Sequence, residues 1–236
     1  MILGISQPTF LPWVGYFGLL DFVDEFVFLD DVQFNKRSWQ QRNNIKINNQ
    51  TFFLTVPVIS KNKYNQKINE VLIDKKSNFI QDHKRCIEIN YKKTNYFNVY
   101  VDEIFKVYDI SHDNLIDLNI DFIKVICNLL KIKFSLIKSS ELKTKSSKEN
   151  LILEICKIKK AKTYISTIGS KIYLNNDHEF KENLIELKYY KFMNFKYKQL
   201  GNNYIENLSI IDLLFNLGPN TLDYIRENFY IHDQKN

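Results

Sequence analysis

The first thirty residues constrain the fold more than any other part of the chain. Ile2–Ser6 (Ile-Leu-Gly-Ile-Ser) is a short apolar run of strand length, and Gln7-Pro-Thr-Phe-Leu-Pro follows as a turn with two prolines. Gly15–Val23 carries apolar residues on one helical face, and Glu25–Leu29 is a second strand whose end bears Asp30-Asp31. Strand, loop, helix and strand in that order make a βαβ unit, which builds parallel sheet with helices packed on it. The expected fold class is therefore α/β: a Rossmann-like parallel sheet beginning with a βαβ unit, flanked by helices, with a helical middle segment.

The remainder is compatible with that start. Val32–Lys46 is polar and basic with embedded rings and shows neither clean alternation nor a helical stripe. Thr51–Val58 is strand-like, with Pro57 placing its end at an edge, Ser60–Asn69 is a loop, and Val71–Ile73 reads as a further short strand. From Asn78 to Leu130 apolar residues recur at helical spacing, as in Leu115, Leu118, Phe122, Val125 and Leu129. Lys133–Lys138 is strand-like and Leu151–Ile158 helical. Thr163–Ser170 (Thr-Tyr-Ile-Ser-Thr-Ile-Gly-Ser) is a strand followed by a small-residue turn that opens onto Lys171–Leu174, and Leu184–Tyr190 is another strand. Leu208–Leu217 is an amphipathic helix stopped by Gly218-Pro219. With no internal repeat, residues 1–236 read as one domain, and any internal subdivision falls near 139–150, where the charged, Ser-rich stretch Glu141–Asn150 lies.

Composition narrows the function classes. Thirty-three basic against 27 acidic residues leave +6, which attracts phosphates, nucleotides, nucleic acid or acidic lipid without choosing among them. The lysines are mostly intermixed with Asp and Glu, which favours a solvated mixed surface over a nucleic-acid patch. Fourteen Tyr and 18 Phe point to ring-lined clefts. Cys86, Cys127 and Cys156 show no CxxC spacing, and His83, His112, His178 and His232 form no HxxH or HExxH pair, so no metal is expected. The start has no basic segment ahead of an apolar one, and no apolar run nears the ~18 residues of a spanning helix, so a cytoplasmic protein without membrane insertion is expected.

Five segments carry candidate chemistry. In the loop from Gln7 to Tyr16, Gln7 offers donor and acceptor, and Gly15 permits close backbone approach where a strand end feeds a helix N-terminus. A proline-braced turn with Phe10 and Trp13 in the core is the structural alternative. Asp30 and Asp31 point to opposite faces, so one can face a cleft as proton acceptor while the other braces the loop. Gln33, Lys36, Arg37, Trp39, Arg42 and Asn43 follow: cations to clamp a diphosphate and rings, Phe34 included, to stack on a base or sugar. An exposed basic loop is the alternative. Tyr91-Lys-Lys-Thr-Asn-Tyr-Phe reads equally as a helix end with favourably placed cations, and His83, two turns earlier, is a candidate base or a core histidine. Ser166, Gly169 and Ser170, with Tyr173, make a phosphate-sized turn or merely a helix cap. Tyr197, Gln199, Asp212 and Asn216 read equally as structural capping.

Taken together these stretches resemble the WbqC-like protein family. The carrying motifs are Gln7-Pro, Pro12-Trp-Val-Gly-Tyr-Phe, Phe28-Leu-Asp-Asp-Val-Gln-Phe, Lys36-Arg, Trp39 and Arg42-Asn. Further on come Tyr91-Lys-Lys-Thr-Asn-Tyr-Phe, Lys162-Thr-Tyr-Ile-Ser, Gly169, Tyr173 and Ser209-Ile-Ile-Asp-Leu-Leu-Phe-Asn-Leu-Gly. Members occur in bacterial surface-polysaccharide gene clusters, and some are assigned as glycine transferases acting on an amino sugar. The resemblance implies a transferase of O-antigen or lipopolysaccharide biosynthesis that moves an N-acyl or N-aminoacyl (for example glycyl) group to the amine of a nucleotide-linked amino sugar. The donor stays open among acyl-CoA, aminoacyl-tRNA and an ATP-activated carboxylate. In chemical terms Asp30, Asp31 or His83 would take the amine's proton, and amides near Gln7 or Ser166 would hold the oxyanion. The opening also looks like that of HxGH-type nucleotidylyltransferases and their amide-forming relatives, but Trp13 and Tyr16 stand near where the histidines would fall. An ATP-dependent amide ligase or nucleotidylyltransferase-like enzyme, and a non-catalytic nucleotide-sugar or RNA binder, are the alternatives, and no oligomeric state follows from the residues.

Overall fold

The structure is a computed structural model that describes residues 1–146, 149–172 and 177–232. The chain runs β1 (Ile2–Ser6), α1 (Val14–Phe22), β2 (Glu25–Phe28), β3 (Arg42–Ile47), β4 (Gln50–Thr55), α2 (Phe79–Tyr91), α3 (Phe97–Asp109) and α4 (Leu115–Leu130). It continues with β5 (Ile137–Lys138), α5 (Glu149–Ile158), β6 (Thr163–Thr167), α6 (Asp177–Glu182), β7 (Glu186–Phe192), α7 (Ile210–Leu217), α8 (Thr221–Asn228) and β8 (Phe229–His232). Six strands form one sheet in the order β5-β2-β1-β6-β7-β8, and only the β7–β8 pair is antiparallel. β3 and β4 form a separate antiparallel hairpin.

The alternation of β1 explains why a run as short as Ile-Leu-Gly-Ile-Ser organises the sheet. Leu3 and Ile5 face one core, shared with Val27, Tyr164, Tyr189, Ile155 of α5 and Phe180 of α6. Ile2 and the neighbouring rings Phe26, Phe28, Tyr190 and Phe192 face the other, larger core with α1, α7 and the helices of the middle segment. A strand buried on both faces reads as continuously apolar. The Rossmann-like α/β sheet with its opening βαβ unit and helical middle is thus the observed architecture.

Several segments differ from expectation. β3 occupies the end of Val32–Lys46 and runs on to Ile47, where no strand pattern was visible, because this strand buries polar Asn43 and Lys46 beside Ile45. Val71–Ile73 is not a strand; Leu72 and Ile73 make only isolated bridges, to Asn114 and Val58. Lys133–Lys138 contracts to β5. Gly218-Pro219 ends α7 as expected, with Gly218 capping it at φ of 57°, but Pro219 then sits in the first turn of a short 3-10 segment that leads directly into the unexpected α8. β8, absent from the expected elements, then completes the sheet edge. Among the described residues no helix is long and apolar enough to cross a membrane. Ser147, Lys148, Tyr173 and Leu174 lie outside the described residues.

Phe28, fully buried, meets Phe26 at 5.0 Å and Phe134 at 6.2 Å between ring centroids. Phe28→Ala is expected to cost about 3–5 kcal/mol in urea unfolding. Val99→Ala, on the exposed face of α3, should stay within about 0.5 kcal/mol.

Candidate functional site

Beyond β1 the chain enters a loop whose Pro8, Phe10, Leu11 and Pro12 are all buried. Buried carbonyls need donors, and side chains from distant elements supply them here. Asn119 Nδ2 of α4 donates to Pro8 O (3.2 Å) and Gln40 O (2.8 Å), and Asn43 Nδ2 of β3 donates to Phe10 O (3.3 Å) and Leu11 O (2.8 Å). Ser209 Oγ donates to Leu11 O at 2.8 Å, and the Ile210 amide to Pro12 O at 2.9 Å. Leu11 has φ of 41°, a left-handed conformation that costs a non-glycine residue about 1–2 kcal/mol. These bonds hold it there.

The braced loop borders a hollow of about 410 Å³. Its floor is Ser6, Thr167 and Tyr190 from the C-terminal ends of β1, β6 and β7, brought side by side by the registers Gly4↔Ile165 and Thr167↔Tyr190. This is where the strand order reverses, with β2 on one side of β1 and β6 on the other, and where α/β sheets bind ligands. Trp13 and Tyr16 line it from the start of α1, Trp39 and Asn43 from the segment before and within β3, and Thr9 and Asn207 complete it. The Tyr16 hydroxyl donates to Gln7 O at 3.2 Å, and Gln40 Nε2 donates to Gln7 Oε1 at 2.7 Å. Gly15 is needed for a specific reason: a Cβ there would lie 2.3 Å from the Trp13 indole, so the ring can cover this turn only over a glycine. Burial raises the pKa of both Tyr16 and Tyr190, which keeps the two hydroxyls neutral donors. Among the described residues the lining has rings, hydroxyls and amides but no carboxylate, imidazole or cation.

Of the residues singled out in the sequence, Trp13, Tyr16, Trp39 and Asn43 thus meet at one hollow, with Gln7 and Gly15 behind its wall. The others stand elsewhere. Asp30 is 1% exposed, and its carboxylate accepts from Ser139 Oγ (3.0 Å), Ser140 N–H (2.9 Å), Ser140 Oγ (2.7 Å) and Asn69 Nδ2 (3.4 Å). It is the member of the pair that braces a loop. Half-buried Asp31 also accepts from Ser139 and does not line the hollow. Lys36 and Arg37 are exposed, and Gln33, also exposed, donates to Tyr64 O at 3.3 Å. Arg42 lies with its guanidinium 4.1 Å over the Phe53 ring. The cations therefore do not enter the hollow: on β3 Asn43 is buried toward it, and Arg42 next to it takes the opposite face. Ser166 is buried, with its Oγ 2.7 Å from Ser170 Oγ and accepting from the Tyr164 hydroxyl; it lies on the opposite sheet face from Thr167, and Gly169 and Ser170 lie within the following 3-10 turn, which starts at Ile168.

His83 is a core histidine. It is 6% exposed, packed among Phe10, Phe79 and Tyr108, with Nδ1 3.1 Å from the Tyr108 hydroxyl, and burial lowers its pKa to about 4. Among the described residues no group of His, Cys, Asp or Glu could hold a metal ion.

A second polar centre gathers Tyr197, Gln199 and Asp212, which the sequence offered equally as structural capping, and adds Tyr91 and Lys46. Asp212 is 1% exposed and accepts from the hydroxyls of Tyr91 (2.9 Å) and Tyr197 (2.7 Å). Burial raises its pKa and lowers that of Lys46, whose ammonium bonds Gln199 Oε1 at 3.3 Å and Asn203 O. Asp212, Tyr91 and Lys46 floor a second hollow of about 270 Å³.

The unfolded chain protonates His83 near its ordinary pKa of about 6.5, whereas the folded protein resists until about pH 4. Stability is therefore full above about pH 6.5 and falls as pH drops toward 4, by up to about 3 kcal/mol from this group. Urea unfolding across that range should show the decline in the natural protein and a flatter curve in His83→Gln. Parallel curves would contradict the assignment.

The sequence model of the WbqC-like protein family matches residues 7–224, which include the braced loop, all of the hollow's lining but Ser6, and α7. A Mycobacterium tuberculosis (strain ATCC 25618 / H37Rv) protein named Uncharacterized protein Rv1507c is 35% identical over 224 residues, covering 94% of this chain and 96% of its own length. No solved structure matches. With the family's motifs spread over nearly the whole chain and two of them meeting at one hollow, the chain belongs to the WbqC-like protein family.

Proposed function

We propose that the chain is an enzyme that transfers an acyl or aminoacyl group to the amine of a nucleotide-linked amino sugar, with the sugar nucleotide seated in the hollow at the ends of β1, β6 and β7. The observation that carries this reading is the lining: two indoles beside hydroxyls and amides, with no charged side chain among the described residues, in about 410 Å³. A volume of that order suits a ligand of nucleotide size. Trp13 and Trp39 offer faces to a base or sugar ring, and Ser6, Thr9, Thr167 and Asn207 offer partners to sugar hydroxyls. A diphosphate would meet the first amides of α1, where the helix dipole favours negative charge.

Amide formation needs a neutral attacking amine and a donor for the oxyanion of the tetrahedral intermediate. The Tyr190 hydroxyl lines the hollow, has no hydrogen-bond partner among the described residues, and is kept protonated by burial. In this reading it donates to the oxyanion. The attacking nitrogen forms the new C–N bond, the donor's leaving atom departs from the carbonyl carbon, and the amine's proton passes to water or to that leaving atom. None of Asp30, Asp31 and His83 is the base; the amine arrives neutral, and the rate follows its own titration. The fall in rate at low pH then reflects protonation of the substrate's amine.

Incubation with UDP- or dTDP-linked amino sugars and candidate donors should give the mass gain of one acyl or aminoacyl group. Tyr190→Phe keeps the ring stacked on Phe229 and should lower kcat by about 10²-fold with little change in sugar-nucleotide KM. Asp31→Asn should leave the pH profile in place. A profile displaced in Asp31→Asn, or full turnover in Tyr190→Phe, would contradict the assigned roles. Exchange of pyrophosphate into ATP, dependent on an added carboxylic acid, would replace transfer by ATP-dependent ligation.

A further inference from the structure

The cations that miss the hollow are not scattered. From Val32 to Asn69 the chain has seven Lys and Arg and not one Asp or Glu, against +6 for the whole protein, so the rest is close to neutral. No other stretch of the chain runs as long without an acid. Lys46 is the one buried member. The other six, Lys36, Arg37, Arg42, Lys61, Lys63 and Lys67, form no ion pair among the described residues.

The fold draws these residues onto neighbouring stretches. Residues 32–34 and 64–68 lie side by side: the Phe34 amide donates to Gln66 O (2.8 Å), the Ile68 amide to Val32 O (3.0 Å), and Gln33 Nε2 to Tyr64 O. Gln41 and Val56 exchange two bonds, from the Val56 amide to Gln41 O (2.8 Å) and from Gln41 Nε2 to Val56 O (3.2 Å). Rings stand among the cations: Tyr64 is 82% exposed, Trp39 52% and Phe53 39%. Trp39 and Phe53 lie 6.0 Å apart, and Arg42 covers the Phe53 ring. Trp39 also borders the hollow, so the platform runs up to the site.

Unpaired cations interleaved with exposed rings and a flat guanidinium are the combination that holds single-stranded nucleic acid: phosphates on the cations, bases on the planes. We propose that this surface binds the single-stranded 3′ end of an aminoacylated RNA, which is the donor for transfer in the adjoining hollow. The inference rests on the proposed transferase reading for the role of the RNA, but not for its binding. In the transfer step the sugar amine attacks the ester carbonyl at the RNA's terminal ribose. A C–N bond forms, the C–O ester bond breaks, and the ribose hydroxyl departs with the proton the amine gives up.

The test uses the full chain and three probes: a labelled RNA hairpin ending in single-stranded CCA, the same hairpin with a blunt end, and vesicles of phosphatidylserine and phosphatidylcholine. The overhanging hairpin should bind at least about tenfold more tightly than the blunt one. Phe53→Ala, and Arg42→Lys, which keeps charge but not the plane, should each weaken it several-fold. Lys61→Ala with Lys63→Ala should flatten the slope of log K against log salt by about 0.7 for each phosphate no longer neutralised. Equal binding of both hairpins, binding to vesicles alone, or unchanged affinity in all the variants would overturn the inference. Transfer from acyl-CoA by a protein that binds no RNA would overturn it too while leaving the transferase reading intact. Binding of the overhang without transfer from any donor would sink the transferase reading and leave the surface standing.

Discussion

The structure depends on satisfying the carbonyls of a buried loop. A chain that leaves β1 and turns inward, instead of crossing the surface, strands Pro8, Phe10, Leu11 and Pro12 away from water, and each unpaired carbonyl would cost about 1–3 kcal/mol. Asn119 from α4, Asn43 from β3 and Ser209 ahead of α7 provide the donors. One polar requirement thus ties the middle helices, the hairpin and the late helices to the end of the first strand. It also holds Leu11 left-handed and presents Trp13 across Gly15. The hollow is the space this bracing leaves open above the strand ends.

Charge is partitioned around that space. The described lining is neutral, with two tyrosines kept protonated by burial, while the cations gather on the exposed loops and hairpin beside it. Asp30 and Asp31 are turned toward Ser139 and Ser140, and Asp212 is enclosed by Tyr91 and Tyr197. A neutral, ring-walled pocket suits binding an uncharged sugar and letting an amine react in its free-base form. An adjacent basic surface suits a polyanionic partner that never needs to enter fully.

Much of this was legible in the residues. The βαβ opening, the helical middle and the family motifs follow from apolar spacing and from combinations such as Pro12-Trp-Val-Gly-Tyr-Phe, because two-sided burial leaves an uninterrupted apolar record. Trp13 and Tyr16, and separately Trp39 and Asn43, were also visible as candidates in two segments, though not that they meet. What could not be read depends on long-range partners. β3 buries an asparagine and a lysine whose partners lie far away in sequence, so it shows no alternation. Asn119 looks like any polar residue in a helix until its acceptors are known. Lys36, Arg37 and Arg42 looked like a clamp because sequence gives residue type without direction; strand parity sends Asn43 inward and Arg42 outward. His83 was ambiguous for the same reason, since its partner Tyr108 sits in the next helix.

Both tryptophans of the chain line the hollow, so its occupancy can be read from intrinsic emission without a label. Two single-tryptophan proteins, Trp13→Phe and Trp39→Phe, titrated with a dTDP- or UDP-linked amino sugar give the most direct measurement. The account predicts a saturable change in emission from each, with the same dissociation constant within each protein as found for the onset of transfer. Emission that stays flat in both while the sugar nucleotide is acylated would place the reaction elsewhere on the molecule.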